Sequence, residues 1–319
     1  MESENMKDKV AVILGPTAVG KTAISLQVAA NLGAEIISCD SMQFYKGMDI
    51  GTDKIKPEAM VAANGKRVPH HMIDILRPDE PYTVADFQAA AVDLIREINA
   101  RGSLPLLVGG TGLYISAVVE GYKFVEEAPI DEAFRQARLA ELAKNGPEFL
   151  HQQLAELDPV TAGKLHVKDS RRIIRALEVY YFIGEPLSRF VGNEASYDTA
   201  LVGLIRPREE IYAKIDERVD EMILAGLADE VKGLLAAGYS RSLRPMCALG
   251  YKQICAFLAG EMDFEQAVFE IKRDTRRFAK RQLTWWRHKE VTWFEVNDFL
   301  DKMVLADAIS CHIKKTLGI

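Results

Sequence analysis

The chain has 319 residues and a formal net charge of −6, with 48% hydrophobic and 27% charged residues. This balance excludes an intrinsically disordered chain and supplies enough apolar side chains for a sizeable buried core. No apolar run approaches the ~20 residues that a bilayer-spanning helix requires, so we expect no membrane partner.

The N-terminus and the cysteines indicate a cytoplasmic protein. Met1–Lys9 is polar and lacks the apolar segment of a secretory signal. The four cysteines are scattered, without the spacing of a metal site or a disulfide framework. A reducing compartment is the simplest setting for such a chain.

The N-terminal part alternates between short apolar runs and helical patterns. The first apolar run is followed by a glycine-rich loop and a helix predicted over Thr22–Leu32, which ends at Gly33. Another helix begins at Thr83, with Asp86 as its capping-box partner, and Gly102 closes it. Buried strands are predicted at Lys9–Gly15, Glu35–Cys39 and Leu104–Val108.

The pattern changes between about Tyr122 and Tyr197, where strand-like runs disappear and helical periodicity takes over. Ala200–Ile205 returns to strand character, and the remainder is predicted to be helical. The helices expected there are Arg208–Ala225, Ala228–Ala237 and Phe264–Trp286.

These elements predict an α/β protein. Strands that alternate with helices indicate a parallel sheet with helices on both faces. The glycine-rich loop between the first strand and its helix is typical of the core of P-loop NTPases. We predict that residues 1–121 and 200–319 form this core together with a helical C-terminal part, and that residues 122–199 form an inserted all-helical domain.

The loop after the first strand matches the phosphate-loop template Gly-x4-Gly-Lys-Thr in full. Backbone N–H groups and the N-terminus of the following helix favour phosphate oxygens, Lys21 supplies a cation, and the Thr22 hydroxyl can hold Mg²⁺. An accidental glycine-rich turn is the alternative, but the flanking strand and helix favour pyrophosphate binding. The loop consists of Gly15, Pro16, Thr17, Ala18, Val19, Gly20, Lys21 and Thr22.

A nucleoside triphosphatase usually carries a second acid at the end of a buried strand, where it anchors the metal. The candidate strand, Leu104–Val108, ends instead in two glycines. The acid that ends a strand near the loop is Asp40, and Ser41 and Gln43 beside it can hydrogen-bond a base edge. From position alone, Asp40 is equally well interpreted as a functional carboxylate or as an Asx turn after the strand.

Positive charge is concentrated in residues 271–290, which contain eight Lys or Arg and two acids, a local charge of +6. Together with Trp285 and Trp286, this face suits RNA phosphates and unstacked bases. A solvated helix face with core tryptophans is nearly as good an interpretation. Two rows repeat every four residues, namely Arg273, Arg277 and Arg281, and Lys272, Arg276 and Lys280. A second basic cluster consists of Lys164, Lys168, Arg171, Arg172 and Arg175.

Seven segments together resemble the tRNA dimethylallyltransferases of bacteria. The chain lacks the cysteine and histidine pairs of the C-terminal zinc finger that some eukaryotic members carry. Because the segments keep the family's order, the resemblance is more specific than the phosphate loop alone. They are Gly15–Thr22, Asp40–Thr52, Pro69–Asp74, Gly109–Tyr114, Asp169–Glu178, Leu249–Gln253 and Ala279–Trp285.

The resemblance implies transfer of a dimethylallyl group from dimethylallyl pyrophosphate to the exocyclic N6 of adenine-37 in tRNA. This adenine lies immediately 3′ of the anticodon in tRNAs that read codons beginning with U, and the product is N6-isopentenyladenosine. The implied partners are the donor and a tRNA anticodon stem-loop, and the implied cofactor is Mg²⁺. We expect a monomer.

The resemblance also implies residue roles. Asp40 is the general base, the Thr17 hydroxyl bonds the bridging oxygen of the donor, and Arg218 binds the pyrophosphate. The structural alternatives are a loop-stabilising hydroxyl for Thr17 and a salt bridge for Arg218. The implied tRNA contacts are Asp40, Ser41, Met42, Gln43, Thr111, Arg135, Arg171, Arg172, Arg175, Gly250, Tyr251, Lys252, Arg277 and Arg281, with the Leu249–Gln253 contacts in a polar loop.

Three other functions compete with this one: a small-molecule kinase built on the same loop, an adenylate isopentenyltransferase that alkylates free AMP, and an RNA-binding protein with a vestigial loop. The intact Lys21, Thr22 and Asp40 argue against the last. A metal site at His70 and His71 is disfavoured, because no third His or Cys lies nearby in the sequence.

Overall fold

The structure, a computed structural model, describes residues 7–125, 131–190 and 197–319. Its strands are β1 (Asp8–Leu14), β2 (Ala34–Ser38), β3 (His70–His71), β4 (Leu104–Gly109), β5 (Tyr197–Ile205) and β6 (Thr292–Glu295). They form one sheet in the order β3-β2-β4-β1-β5-β6, and every neighbouring pair is parallel. The predicted parallel α/β core is confirmed.

Helices connect and cover these strands. Around the sheet are α1 (Lys21–Leu32), α2 (Val84–Ala100) and α3 (Gly112–Val119). The middle of the chain forms α4 (Glu132–Asn145), α5 (Pro147–Leu157), α6 (Pro159–Ala162) and α7 (Ser170–Ile183). After β5 come α8 (Arg208–Leu224), α9 (Leu227–Ala236), α10 (Tyr251–Leu258), α11 (Phe264–Trp286) and α12 (Lys302–Leu317).

Successive residues of β1 enter two different cores, because side chains of a strand point alternately to opposite faces of the sheet. Val10, Val12 and Leu14 join a cluster that includes residues of α2, α3 and α8–α11. Ala11 and Ile13 join a second cluster, which α1 and α12 cover. All five side chains are fully buried. Helices therefore cover both faces of the sheet, as predicted.

Local signals explain where several helices begin and end. Thr83 Oγ1 accepts the N–H of Asp86 at 3.2 Å, and Asp86 Oδ2 accepts the N–H of Thr83 at 2.7 Å, which is the predicted capping box. Gly33 ends α1 in the left-handed conformation, with φ 63°. The long helix α11 has the predicted bounds, Phe264–Trp286.

The structure corrects two predictions after β5. A loop is expected over Leu249–Gln253, but α10 begins at Tyr251, because Gln253 Oε1 accepts the N–H of Gly250 at 3.1 Å and caps the helix. The remainder of the chain is also not wholly helical, because β6 pairs with β5 at the edge of the sheet. An edge strand of four residues is too short to show a clear alternating pattern.

By its internal contacts the chain divides into two compact units, Met1–Val119 with Ser196–Ile319, and Glu120–Ala195. We call them the core unit and the helical insert. The helical insert contains α4–α7. Its buried cluster includes Leu150, Leu154, Ile173 and Leu177. In the described part of the chain, no helix has the length and apolarity needed to cross a membrane.

A buried carboxylate joins two helices of the insert. The Glu178 side chain on α7 is fully buried and accepts hydrogen bonds from Arg135 Nε and Nη2, at 2.9 and 2.8 Å. It also accepts from Arg175 Nη1 at 2.6 Å and from the N–H of Asp131 at 2.9 Å. A buried charge is tolerated when it is both paired and hydrogen-bonded, and these three partners meet that requirement.

We predict that Glu178→Gln lowers the free energy of unfolding by about 3 kcal/mol, because it removes the fully buried negative charge to which Arg135 and Arg175 both donate hydrogen bonds. Urea-induced unfolding followed by circular dichroism measures this loss. The control is Arg189→Gln, which breaks an exposed ion pair with Glu185 at 2.6 Å and should cost less than ~1 kcal/mol. Equal losses in the two variants would contradict the prediction.

Candidate active site

The phosphate loop connects β1 to α1 at the carboxyl edge of the sheet. A β-carbon at Gly15 would lie 2.6 Å from the carbonyl oxygen of Leu204, so no larger residue fits there. Gly20 has φ 103° and Ala18 has φ 64°, both in the left-handed region. These turns fold the backbone tightly around the N-terminus of α1, where N–H groups and the helix dipole favour an anion.

The ammonium of Lys21 lies over this loop. Its Nζ donates to the carbonyl oxygens of Gly15 at 3.0 Å and of Pro16 at 2.7 Å. Burial, together with the nearby charge of Arg218, lowers the pKa of Lys21 to about 8. A bound anion would favour the charged form of Lys21, so this environment is suited to a phosphate-bearing ligand.

Arg218 reaches the same loop from α8. Its Nη1 donates to Thr17 Oγ1 at 3.0 Å, and its Nη2 lies 3.3 Å from Asp53 Oδ2. Arg218 therefore has the acidic neighbour expected of a salt bridge and also touches the loop. A guanidinium and a hydroxyl held side by side can both hydrogen-bond the oxygens of a leaving group.

Asp40 follows β2 and lies on the same cleft. Its Oδ1 accepts the N–H of Met42 at 3.0 Å, which forms the Asx turn considered as its structural role. The turn does not bury the carboxylate, because Asp40 lines the cavity that Lys21 and Arg218 also line. The two interpretations of Asp40 are thus compatible, since the turn orients a carboxylate that faces the cavity.

Gln43, beside Asp40, already has partners in the structure. Ser38 Oγ donates to Gln43 Oε1 at 3.0 Å, and Gln43 Nε2 donates to the carbonyl oxygen of Thr52 at 3.2 Å. These two bonds fix the orientation of the amide and leave one lone pair on Oε1 and one N–H on Nε2 for the edge of a base. Ser41 and Met42, also predicted to contact RNA, are partly buried in the turn after Asp40.

These side chains share one open cleft of about 1120 Å³ in the core unit. A smaller neighbouring cavity of about 490 Å³ is also lined by Asp40 and Lys21. The cleft brings together residues that are far apart in the sequence, among them Thr17, Lys21, Thr22, Asp40, Asp53, Arg218 and Gln282.

Two of these, Asp53 and Gln282, were not foreseen from the sequence. Gln282 is buried on α11, where it donates to the carbonyl oxygen of Gly110 and accepts the N–H of Thr17. A signal for it exists, because Gln282 interrupts the buried stripe formed by Ala279 and Trp286. A polar residue on a buried stripe needs a hydrogen-bonding partner.

Glu230 on α9 holds the segment that leads to Asp53. Its carboxylate accepts a hydrogen bond from the Tyr251 hydroxyl at 2.6 Å. A carboxylate that accepts several hydrogen bonds from one segment fixes that segment in one conformation. The same carboxylate accepts three backbone N–H groups at 2.9, 2.7 and 3.3 Å, those of Asp49, Ile50 and Gly51.

The structure thus places the predicted RNA contact Tyr251 in the core. Its ring is fully buried, and a β-carbon at Gly51 would lie 2.5 Å from it. Gly250 is also buried and precedes the first turn of α10, whereas Lys252 is exposed, with Nζ 3.8 Å from Asp274 Oδ2. Of these three positions, Lys252 alone offers its side chain to a partner at the surface.

The two basic rows of α11 have different environments. Lys272 Nζ lies 2.6 Å from Asp220 Oδ1, and Arg276 pairs with Asp216, so α8 neutralises much of one row. Arg277 is 63% exposed in its side chain, and Arg281 is also exposed. Arg273 in the second row is half-buried, with Nε 2.9 Å from Asp274 Oδ1. The exposed residues Arg277, Lys280 and Arg281 are therefore the basic part of α11 that is accessible to a large anionic partner.

These exposed residues border a groove of about 760 Å³ that combines basic and aromatic side chains. The groove is lined by Arg277, Lys280, Arg281, Thr284 and Trp285. Trp285 Nε1 donates to Ser116 Oγ at 3.2 Å, and Trp286 is 2% exposed. Trp286 belongs to the core, as the alternative interpretation holds, whereas Trp285 lines the groove.

The remaining predicted contacts lie at several places. Arg171 and Arg172 are exposed on α7, whereas Arg135 and Arg175 are bound to Glu178. In the core unit, Thr111 is partly buried just before α3. The two histidines also have protein partners, because His70 Nδ1 lies 2.9 Å from the Val68 carbonyl oxygen and His71 Nε2 lies 2.8 Å from Glu35 Oε2.

Comparisons with known proteins agree with this geometry. The IPP transferase family model matches residues 43–289, and the isopentenyl transferase model matches residues 8–67. The chain is 47% identical to a tRNA dimethylallyltransferase of Geobacillus kaustophilus over 297 residues, 92% of each chain. It is 48% identical to one of Moorella thermoacetica over 325 residues, which cover 100% of this chain and 99% of the relative.

Two solved structures have the same fold. One is the full-length tRNA isopentenylpyrophosphate transferase of Bacillus halodurans, 42% identical, with a TM-score of 0.71 and coverage of 97% of this chain and 98% of that one. The other is a eukaryotic dimethylallyltransferase acting on tRNA, 27% identical, with a TM-score of 0.77 and coverage of 95% and 78%. With a family model that matches most of its length and relatives of nearly half identity, this chain belongs to the IPP transferase family.

Proposed function

We propose that this chain is a tRNA dimethylallyltransferase that transfers a dimethylallyl group from dimethylallyl pyrophosphate to N6 of adenine-37 in tRNAs reading codons that begin with U. The observation that carries the proposal is the cleft itself. One cavity combines a phosphate loop, two cations at Lys21 and Arg218, and the carboxylate of Asp40. It thus has groups for an anionic leaving group and a base for an amine.

The donor side must stabilise a leaving group. The exocyclic amine of adenine is a weak nucleophile, because its lone pair is delocalised into the ring, and so it needs a carbon with a good leaving group. As the allylic C–O bond breaks, negative charge grows on the pyrophosphate, and Lys21, Arg218 and the loop N–H groups are placed to stabilise it. Thr17 Oγ1 accepts from Arg218, so its own proton is available to the bridging oxygen.

The acceptor side must remove a proton. The bond between N6 and the allylic carbon forms while the bond from that carbon to the pyrophosphate oxygen breaks, and N6 then carries an excess proton. Asp40 is the general base to which this proton passes. The bond from the Met42 N–H to Oδ1 fixes the orientation of its carboxylate.

The protein oxygens that line the cleft are suitable ligands for Mg²⁺. This ion is usually bound by one or two protein oxygens together with substrate phosphates and waters. The hydroxyl of Thr22, exposed at the start of α1, and the carboxylate of Asp40 line the same cavity. We propose that Thr22 holds the ion, which when bound neutralises charge on the departing pyrophosphate.

The RNA partner is proposed to be the anticodon stem-loop. The α11 groove, with the exposed Arg277 and Arg281 beside Trp285, suits phosphates and an unstacked base. Adenine-37 must leave its stack to expose N6 to an enzyme, and the open cleft has room for a base. Arg171 and Arg172 offer further exposed charge on the helical insert. We propose that the enzyme acts as a monomer in the cytoplasm.

The transfer assay tests the function directly. The protein is incubated with Mg²⁺, labelled dimethylallyl pyrophosphate and an anticodon stem-loop that contains A36-A37-A38, and label should appear on A37. A stem-loop with guanine at position 37 is the matched control and should stay unlabelled. Label on AMP, or phosphate transfer from ATP, with none on the stem-loop would identify one of the alternative enzymes instead.

The role of Asp40 predicts a specific kinetic change. Asp40→Asn should lower kcat by about 100-fold or more, because it removes the proton acceptor, and should change the KM for the donor less than about threefold. Steady-state kinetics measure both. Asp93→Asn, at a 69% exposed position on α2, is the control and should behave as wild type. Parallel losses in kcat and donor affinity would make Asp40 a binding residue.

The perturbed Lys21 predicts a pH dependence of donor binding. Its pKa is about 8, and the anionic donor favours the protonated form, so affinity should be constant just below that pH and weaken above it, by up to about tenfold per pH unit. Lys21→Arg keeps its charge throughout and should flatten the profile. Calorimetric titration with the donor between pH 7.5 and 9.5 makes the comparison. A wild-type profile as flat as the variant's would contradict the prediction.

A further inference from the structure

Gln282 connects α11 to the phosphate loop through both atoms of its amide. Oε1 accepts the N–H of Thr17 at 2.9 Å, and Nε2 donates to the carbonyl oxygen of Gly110 at 3.0 Å. The residue is only 7% exposed. A buried amide with both ends engaged has one orientation, because turning it over would place donor against donor and acceptor against acceptor.

The approach of Gln282 to the end of β4 leaves no spare room. A β-carbon at Gly110 would lie 2.0 Å from Gln282 Nε2 and 3.2 Å from the carbonyl oxygen of Gly15. The glycine therefore allows three segments to meet: the loop, the residue that follows β4, and α11. Close contact of this kind limits movement of the loop relative to the sheet.

Thr17 is consequently held from two sides. Gln282 accepts a hydrogen bond from the Thr17 N–H, and Arg218 donates one to the Thr17 hydroxyl at 3.0 Å. The N–H groups of a phosphate loop usually point towards the phosphate, but that of Thr17 is directed to a side chain. This N–H thus contributes to the position of the residue instead of binding the ligand.

We propose that Gln282 is a positioning residue, which sets the place of the Thr17 hydroxyl beside the bridging oxygen of the donor. The inference rests on the proposed function, because it assigns Gln282 a purpose in that transfer. Gln282 lines the cleft, and its amide oxygen binds the loop at Thr17 while its amide nitrogen binds Gly110, so the role that we assign to it is exerted through Thr17. A displaced catalytic group slows the chemical step more than it weakens ground-state binding.

The test compares two buried glutamines. Gln282→Met keeps the length of the side chain and removes both hydrogen bonds to the loop and to Gly110. Gln27→Met is the matched control, because Gln27 is 6% exposed and its Nε2 donates to Asn31 Oδ1 at 2.9 Å, outside the cleft. Thermal unfolding, kcat and the KM for donor and stem-loop are measured for both variants and for wild type.

We expect Gln282→Met to lower kcat by about 10- to 100-fold, with both KM values within about threefold of wild type, while Gln27→Met keeps wild-type kinetics at a similar thermal shift. A kcat loss no larger than that of Gln27→Met overturns the inference, and so does a change in KM without a loss of kcat. If the methionine variant does not fold, the isosteric Gln282→Glu takes its place. It turns a second oxygen towards the Gly110 carbonyl and is judged by the same kcat criterion.

The outcome for wild type separates the inference from the function beneath it. Absence of transfer by the wild-type protein to the stem-loop would count against the proposed function. Transfer by wild type, with equal kinetics in the two methionine variants, would leave the function standing and remove the positioning role of Gln282.

Discussion

Two positive charges face one cleft in this protein, and most of the site is arranged around that conflict. Lys21 and Arg218 disfavour each other, and burial lowers the pKa of Lys21 to about 8. Asp40 and Asp53 offset part of the repulsion. A pyrophosphate has enough negative charge to pair with both cations. In the proposed reaction, Lys21 and Arg218 stabilise the negative charge that accumulates on the pyrophosphate as it leaves. The cleft thus suits a polyanionic ligand whose negative charge is redistributed during the reaction.

Hydrogen bonds from polar side chains hold this arrangement in place. Glu230 receives three backbone N–H groups and the Tyr251 hydroxyl, which fixes the segment before Asp53, and Asp53 in turn lies against Arg218. Gln282 fixes the loop from the opposite direction. The carboxylate of Glu230 and both polar atoms of the buried Gln282 amide thus have hydrogen-bonding partners in the protein. Tyr251, which lies in a segment that resembles an RNA-contact motif, thus supports the wall of the cleft through its hydrogen bond to Glu230.

How much of this was predictable depends on the distance over which each interaction acts. The phosphate loop, the Thr83 capping box and the bounds of α11 follow from neighbours a few residues apart, so the sequence alone predicts them. The bond between Arg218 and Thr17 spans 201 positions, and that between Gln282 and Thr17 spans 265. No local sequence pattern identifies Thr17 as the hydrogen-bonding partner of Arg218 or Gln282. The same reason explains why Lys272 and Arg276 look like RNA contacts until α8 supplies their acids.

The position of β1 in the sheet has a consequence for synthesis on the ribosome. β1 is translated before the other strands described here, and it pairs with β5, for example at Asp8 and Tyr197. β5 is translated only after the whole helical insert. α12, which covers α1, is translated later still. Until β5 and α12 are synthesised, the nascent chain therefore carries an unpaired apolar strand edge and an uncovered helix, while the insert can already close its own core. Such intermediates are prone to aggregation and are the species that chaperones bind.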